Sequence, residues 1–193
     1  VAITRTGSRI VVGASPLSSS SPGSISVYDW NAASGWNLVG SVINGASSDD
    51  RFGVSVSISS DGSIIAGGAL NNDDSGVDAG HVRVYQYLNN AWSQIGEDIG
   101  GESAYDYSGC SIDLTDDGTR IVIGATGNDS GGSDSGHVRI YNWNGTSWVK
   151  ILNDIDGEDS NDNSGKSVAI SSDGSRVIVG AHLNDGSGSD AGH

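Results

Sequence analysis

The chain repeats itself at a nearly constant interval, and this limits its fold more than any other feature. Residues Gly53–Ala69, GVSVSISSDGSIIAGGA, return as SIDLTDDGTRIVIGA from Ser111 and SVAISSDGSRVIVGA from Ser167. A looser copy, VAITRTGSRIVVGA, opens the chain at Val1. Val56, Ile112 and Val168 are spaced by 56 residues, and Val1 lies 55 before Val56. A period of this length implies one supersecondary unit used several times, each copy hiding its apolar side against the next.

Each full unit carries four strand signals. In the second they are Val54–Ser59, Ser63–Ala69, His81–Tyr87 and Ala91–Gly96. In the first of these Val54, Val56 and Ile58 alternate with Ser55, Ser57 and Ser59, the period of a strand with one covered face. Asp61-Gly62, repeated as Asp117-Gly118 and Asp173-Gly174, is a hairpin signal because glycine supplies the positive φ of a tight turn. The third strand reads HVRVYQY, then HVRIYNW, and more weakly SISVYDW. The fourth is marked by Trp36, Trp92 and Trp148.

Short β-branched runs between Gly, Ser, Asn and Asp indicate an all-β chain. A four-stranded antiparallel sheet cannot cover both of its own faces, and packing such sheets radially as β-propeller blades solves that problem. A stacked row of sheets or one large sandwich is the competing arrangement. The blades would be residues 1–45, 46–101 and 102–157, with a half blade at 158–193. Val1 already lies in a strand pattern, so the sequence is expected to be part of a longer propeller. Pairing of two copies through unfinished edges is the alternative.

The 193 residues carry a net charge of −15, against nucleic acid as a partner and compatible with cations or basic partners. No apolar run approaches the roughly 18 residues of a membrane span. The single cysteine, Cys110, excludes an internal disulfide framework and reads as a small core residue. None of the familiar catalytic signatures, such as G-x-S-x-G or H-E-x-x-H, is present.

Arg51-Phe52-Gly53 before the first strand and Ile65-Ala66-Gly67-Gly68-Ala69 in the second, with the GHVRVY segment, resemble FG-GAP repeats, the blades of integrin α subunits. The DI-x-GE segments Asp98–Glu102 and Asp154–Glu158 look like a secreted, Asp-rich branch of that repeat. The resemblance spans the chain, although the Phe52 position becomes Ser108 and Ser164. It implies an extracellular or cell-surface propeller. The calcium-binding turn of the integrin type does not carry over, because Ser59–Ser63 holds one carboxylate and calcium needs six to eight oxygens.

In an up-and-down blade the loop between strands two and three and the connection to the next blade leave from one face. That face is therefore acidic. Asp73, Asp78, Asp129, Asp134, Asp185 and Asp190 lie in the first kind of loop. Asp49, Asp50, Glu102, Asp106, Glu158 and Asp162 lie in the connections, where they form interaction loops. Two readings stand for the first set: turn formers bonded to nearby backbone, or a calcium site. His81, His137 and His193 recur one per unit and read as structural hydrogen bonders, since a metal needs converging ligands. Asn128-Asp129-Ser130 and Asn144-Gly145-Thr146 are N-glycosylation acceptors or ordinary turns. Ser18–Ser21 is a candidate for O-linked sugar.

The expectation is a non-enzymatic extracellular propeller for adhesion or assembly, such as a surface filament or matrix component. It would contact a protein partner or itself through the acidic loops. The alternative is a carbohydrate-binding propeller with one shallow glycan site per blade. An enzyme is not expected, because it would require an unrepeated acid or base pair at the centre.

Overall fold

The structure, a computed structural model, describes residues 1–16 and 21–193; the Ser-rich stretch proposed for sugar lies outside these at Ser18–Ser20. Every element among the described residues is a strand. The first sheet holds β1 (Ala2–Ile3), β2 (Arg9–Ala14), β3 (Ser24–Asn31), β4 (Gly35–Leu38) and β5 (Ile43–Asn44). The second holds β6 (Ser55–Ile58), β7 (Ile64–Ala69), β8 (His81–Leu88), β9 (Ala91–Gln94) and β10 (Ile99–Gly100). The third is β11 (Ser108–Leu114), β12 (Arg120–Ala125), β13 (His137–Trp143) and β14 (Trp148–Asp156), and the fourth pairs β15 (Ser164–Ile170) with β16 (Val177–Ala181). All named strand pairs are antiparallel.

The Asp-Gly turns form as expected, with Gly62, Gly118 and Gly174 at φ of 74°, 67° and 71°. The outermost strand differs from the sequence expectation. It stops at Gln94 and resumes at Ile99, because Gly96 adopts φ 74° and interrupts the ladder. Gly40 does the same at φ 71°, and Leu152 occupies the equivalent position at φ 66° inside a continuous but shifted β14.

First strands of successive sheets lie side by side, β1 by β6, β6 by β11 and β11 by β15. The sheets therefore fan out from a common line in a propeller-like arrangement, with fourth strands outermost. Apolar sides meet between sheets. Val11, Ile25, Phe52, Ile58 and Ile65 fill the first junction. Val82, Val84, Ile112, Ile121 and Ile123 fill the second, and Val122, Val138, Ile140 and Ile170 the third. Ile65, Ile121 and Ile123 are wholly buried, each contributing about 1.5–3 kcal/mol of transfer free energy.

Two further contacts repeat at each full junction. Gly13, Gly68 and Gly124 press against the backbone of Gly53, Gly109 and Gly165, and a Cβ there would fall 2.0–2.1 Å from the facing carbonyl oxygen. Trp92 Nε1 donates to the Val39 carbonyl at 2.9 Å and Trp148 Nε1 to that of Ile95 at 3.1 Å. These two Trp rings thus serve packing between sheets, while Trp36 on the first sheet is 42% exposed.

Candidate functional site

The loops between second and third strands share a face with the connections between sheets, as topology requires, and side chains join them. Asn72 Nδ2 donates to Asp50 at 3.3 Å, Asn128 to Asp106 at 3.2 Å and Asn184 to Asp162 at 2.8 Å. Asp50, Asp106 and Asp162 are almost fully buried and also accept from backbone N–H groups of their own connections. Asp49 sits beside Asp50 at φ 78°. Glu102 faces Lys150 and Arg139 at 3.4 and 3.5 Å, and Glu158 faces His193 at 3.8 Å.

Asp73, Asp129 and Asp185 accept the backbone N–H of Asp78, Asp134 and Asp190 at 2.8, 2.8 and 2.6 Å, which closes each loop on itself. Burial, with Asp73 and Asp49 behind it, pushes the Asp78 carboxyl up. Asn128 is buried with its amide on Asp106, whereas Asn144 is exposed in the turn between β13 and β14.

The histidines depart from expectation. His81 and His137 lie at the starts of β8 and β13, 1% and 0% exposed, yet no ring nitrogen of either has a hydrogen-bond partner among the described residues. The structural hydrogen bond read from their recurrence is absent. Instead Nδ1 of His81 looks toward Asp98 Oδ2 at 3.4 Å and Asp74 Oδ2 at 3.8 Å. Among the described residues two groups of metal-ligating side chains converge: Asp74, His81 and Asp98, and Glu102, His137 and Asp154. Neither includes the six aspartates that spacing suggested.

Burial, then the nearby Arg83 or Arg139, holds both imidazoles below their ordinary value of 6.5, in the neutral form. Burial works against the charged form of Asp98, but bonds from Arg83 and Gln94 outweigh it and keep that carboxyl low. Asp98 also lines a cleft of 520 Å³ with Tyr141, Ser147 and Trp148. A carboxylate gripped by two guanidinium nitrogens and a glutamine amide, and held low by them, is a poor proton acceptor.

The common line carries a different chemistry. Ser57, Asp113 and Ala169 occupy one repeat position on the first strands, and Arg5, Ser60, Asp116 and Ser172 occupy another in the turns that follow. Asp113 accepts from Ser57 Oγ at 3.0 Å, from its neighbour Leu114 N at 3.0 Å and from Ile170 N at 2.9 Å, so one carboxylate ties three sheets. The turns join through backbone, Ser60 N to Asp116 O at 2.8 Å and Asp116 N to Ser172 O at 3.2 Å. Across them Arg5 Nη1 reaches Asp116 Oδ2 at 3.3 Å, with the carboxylate 41% exposed.

Arg5, Asp113 and Asp116 are each charged, unrepeated at their positions and placed where the sheets converge. The sequence signal was present as the positions where the copies disagree, and the expectation of no such set at the centre was incorrect. Cys110, by contrast, is inert: burial pushes its thiol up, and it lies against the Gly124 and Gly165 carbonyls.

No family model matches the sequence, and no curated protein does. Solved structures do share the fold. An inferred 6-phosphogluconolactonase from Bacteroides uniformis matches with TM-score 0.61 and 13% identity over 95% of this chain and 47% of its own. A periplasmic gluconolactonase from Pseudomonas aeruginosa matches with TM-score 0.55 and 16% identity over 91% of this chain and 47% of its own. The chain thus spans about half the length of each.

The resemblance to FG-GAP repeats is corrected by these findings, since these two structural neighbours are described as lactonases and not as FG-GAP repeats. Two glycines in the quoted words, Gly53 and Gly68, mark the close backbone contacts between sheets, Gly53 against Gly13 and Gly68 against Gly109. The same neighbours run against the expectations of adhesion or assembly as a filament, of a carbohydrate-binding alternative and of no enzymatic activity. No helix among the described residues is long and apolar enough to cross a membrane.

Proposed function

We propose that this chain belongs to an enzyme that hydrolyses sugar lactones, with the reacting groups on the common line of the sheets. The observation that carries the reading is the Arg5–Asp116 pair, 3.3 Å apart, at a position filled by Ser60 and Ser172 in the other copies. Scaffold features recur in every unit, whereas a reaction needs its groups once. The likeness in fold to two lactonases supports the choice of reaction.

Asp116 takes a proton from water as the water oxygen adds to the lactone carbonyl carbon. Arg5 faces the negative charge that develops on the carbonyl oxygen. The ring C–O bond then breaks, the proton passes to the departing ring oxygen, and a sugar acid leaves. Asp113 positions the strand behind this pair through its bonds to Ser57 and Ile170. A net charge of −15 disfavours a phosphorylated lactone and favours a neutral one.

The same reading takes 1–45, 46–101, 102–157 and 158–193 as three blades and a half blade within a longer ring. The open apolar face of the fourth sheet supports this, with Ile178 74% exposed where Val11, Ala66 and Val122 are fully covered. The periplasmic description of one neighbour supports a location beyond the cytoplasm. Acid release from glucono-1,5-lactone, followed with a pH indicator, tests the activity. It should exceed the spontaneous rate and fall by about 100-fold or more in Asp116→Asn; a rate equal to the spontaneous one overturns the reading.

A further inference from the structure

We propose that Asp74, His81 and Asp98 form a binding site for one divalent transition-metal ion, zinc being the best fit, independent of the pair on the common line. His81 supplies the reason. An imidazole placed wholly inside with neither nitrogen bonded costs free energy that a ligand on Nδ1 would recover. Nδ1 is aimed at two carboxylates, 3.4 Å from Asp98 Oδ2 and 3.8 Å from Asp74 Oδ2. In a tetrahedral zinc site with bonds of about 2.0–2.1 Å, ligand atoms stand about 3.3 Å apart. All three ligand atoms lie within 4.8 Å of one another.

The donor set also discriminates. One imidazole with two carboxylates suits zinc, whereas calcium takes six to eight oxygens. Three protein ligands leave a fourth position for water. Asp74 is on the exposed loop, its side chain 70% open, so an ion enters past it. Arg83 grips Asp98 with Nε and Nη2 at 2.9 and 2.6 Å, and Gln94 adds a bond at 2.7 Å. These fix the carboxylate's orientation, as outer partners of metal ligands do, and because the Arg83 Nε hydrogen is shared between Oδ1 and Oδ2, each at 2.9 Å, an ion on Oδ2 displaces only that share.

The equivalent place in the third sheet is closed. Lys150 stands where the second sheet has Gln94, and its ammonium contacts Asp154 at 3.0 Å and Glu102 at 3.4 Å. Arg139 reaches the same Glu102 at 3.5 Å. Asp74 has become Ser130. The structure therefore assigns one ion per chain and no second at Glu102, His137 and Asp154.

The test is calorimetric titration of Zn²⁺ into the chelator-stripped chain at 0.5 M salt, where diffuse binding to surface carboxylates is screened. One ion per chain is expected, unaffected by excess Ca²⁺. Asp74→Asn, a change at an exposed side chain that leaves the fold intact, should weaken binding at least tenfold, and His81→Gln should abolish it. His137→Gln and Lys150→Gln should each leave the stoichiometry at one, since Arg139 on Glu102 and Ser130 in place of Asp74 keep the third-sheet place closed. Absent Zn²⁺ binding, or binding that Asp74→Asn and His81→Gln leave unchanged, overturns the proposal. Two ions in the wild-type chain, or binding lost in His137→Gln, overturns the assignment of a single ion to Asp74, His81 and Asp98. Because the readout is binding, failure here is separable from failure of the lactone assay.

Discussion

Leu152 holds a backbone conformation meant for glycine. It adopts φ 66° where Gly40 and Gly96 occupy the same place in the sheets before it, and its side chain is 75% exposed. The left-handed region costs a residue with Cβ about 1–2 kcal/mol, more than glycine's extra unfolded-state freedom of about 0.5–1 kcal/mol. Leu152→Gly should therefore raise stability by up to about 1 kcal/mol in urea titration, and a loss would show that the leucine side chain has a partner. His81 and His137 act in a different register. Their folded values lie below 6.5, so the unfolded chain binds more protons in the window beneath 6.5. In chelator, Tm should hold above pH 6.5 and drop as pH falls below it. The double variant His81→Gln/His137→Gln should flatten that drop. Asp29, held below 3.8 by its Arg9 hydrogen bond, and Asp117, held there by the Thr119 N–H, lose their contribution only at lower pH.

At the scale of elements, the contact between successive sheets governs what each strand tolerates. Gly124 and Gly180 share a repeat position, but a Cβ on Gly124 meets the Gly165 backbone carbonyl at 2.1 Å, while on Gly180 its one close contact is a side-chain atom, Ser167 Oγ at 2.4 Å, which can rotate away. Gly124→Ala should cost about 3 kcal/mol or more and Gly180→Ala under about 1 kcal/mol, measured by denaturant midpoint. Equal costs would remove the close sheet-to-sheet approach from the account. The hairpins β6–β7, β11–β12 and β15–β16 were legible in the sequence because alternation and Asp-Gly turns are local signals. The break in the fourth strand was not, because Leu152 shows that side-chain identity does not mark it. Nor was the trio proposed to hold a metal, whose members Asp74, His81 and Asp98 meet only once β8 has paired with β10. Arg5 and Asp116 were hidden for another reason: a repeat is defined by what its copies share, and these two stand where the copies differ.

For the whole molecule, repetition and exception divide the labour. Three junctions between sheets supply the apolar burial, Asn–Asp bonds such as Asn184 to Asp162 lock the acidic face, and the common line is left to carry residues that appear once. A propeller-like frame alone licenses no reaction, since one fold hosts many chemistries. The claim that ties this chain to lactone hydrolysis therefore rests on Arg5 and Asp116. The most direct measurement compares glucono-1,5-lactone hydrolysis by the wild-type chain, Asp116→Asn and Asp129→Asn, the last a repeated carboxylate of the acidic face. Loss confined to Asp116→Asn, at unchanged Tm, is the predicted result. Equal rates in all three, or a loss that follows Asp129→Asn instead, would contradict it.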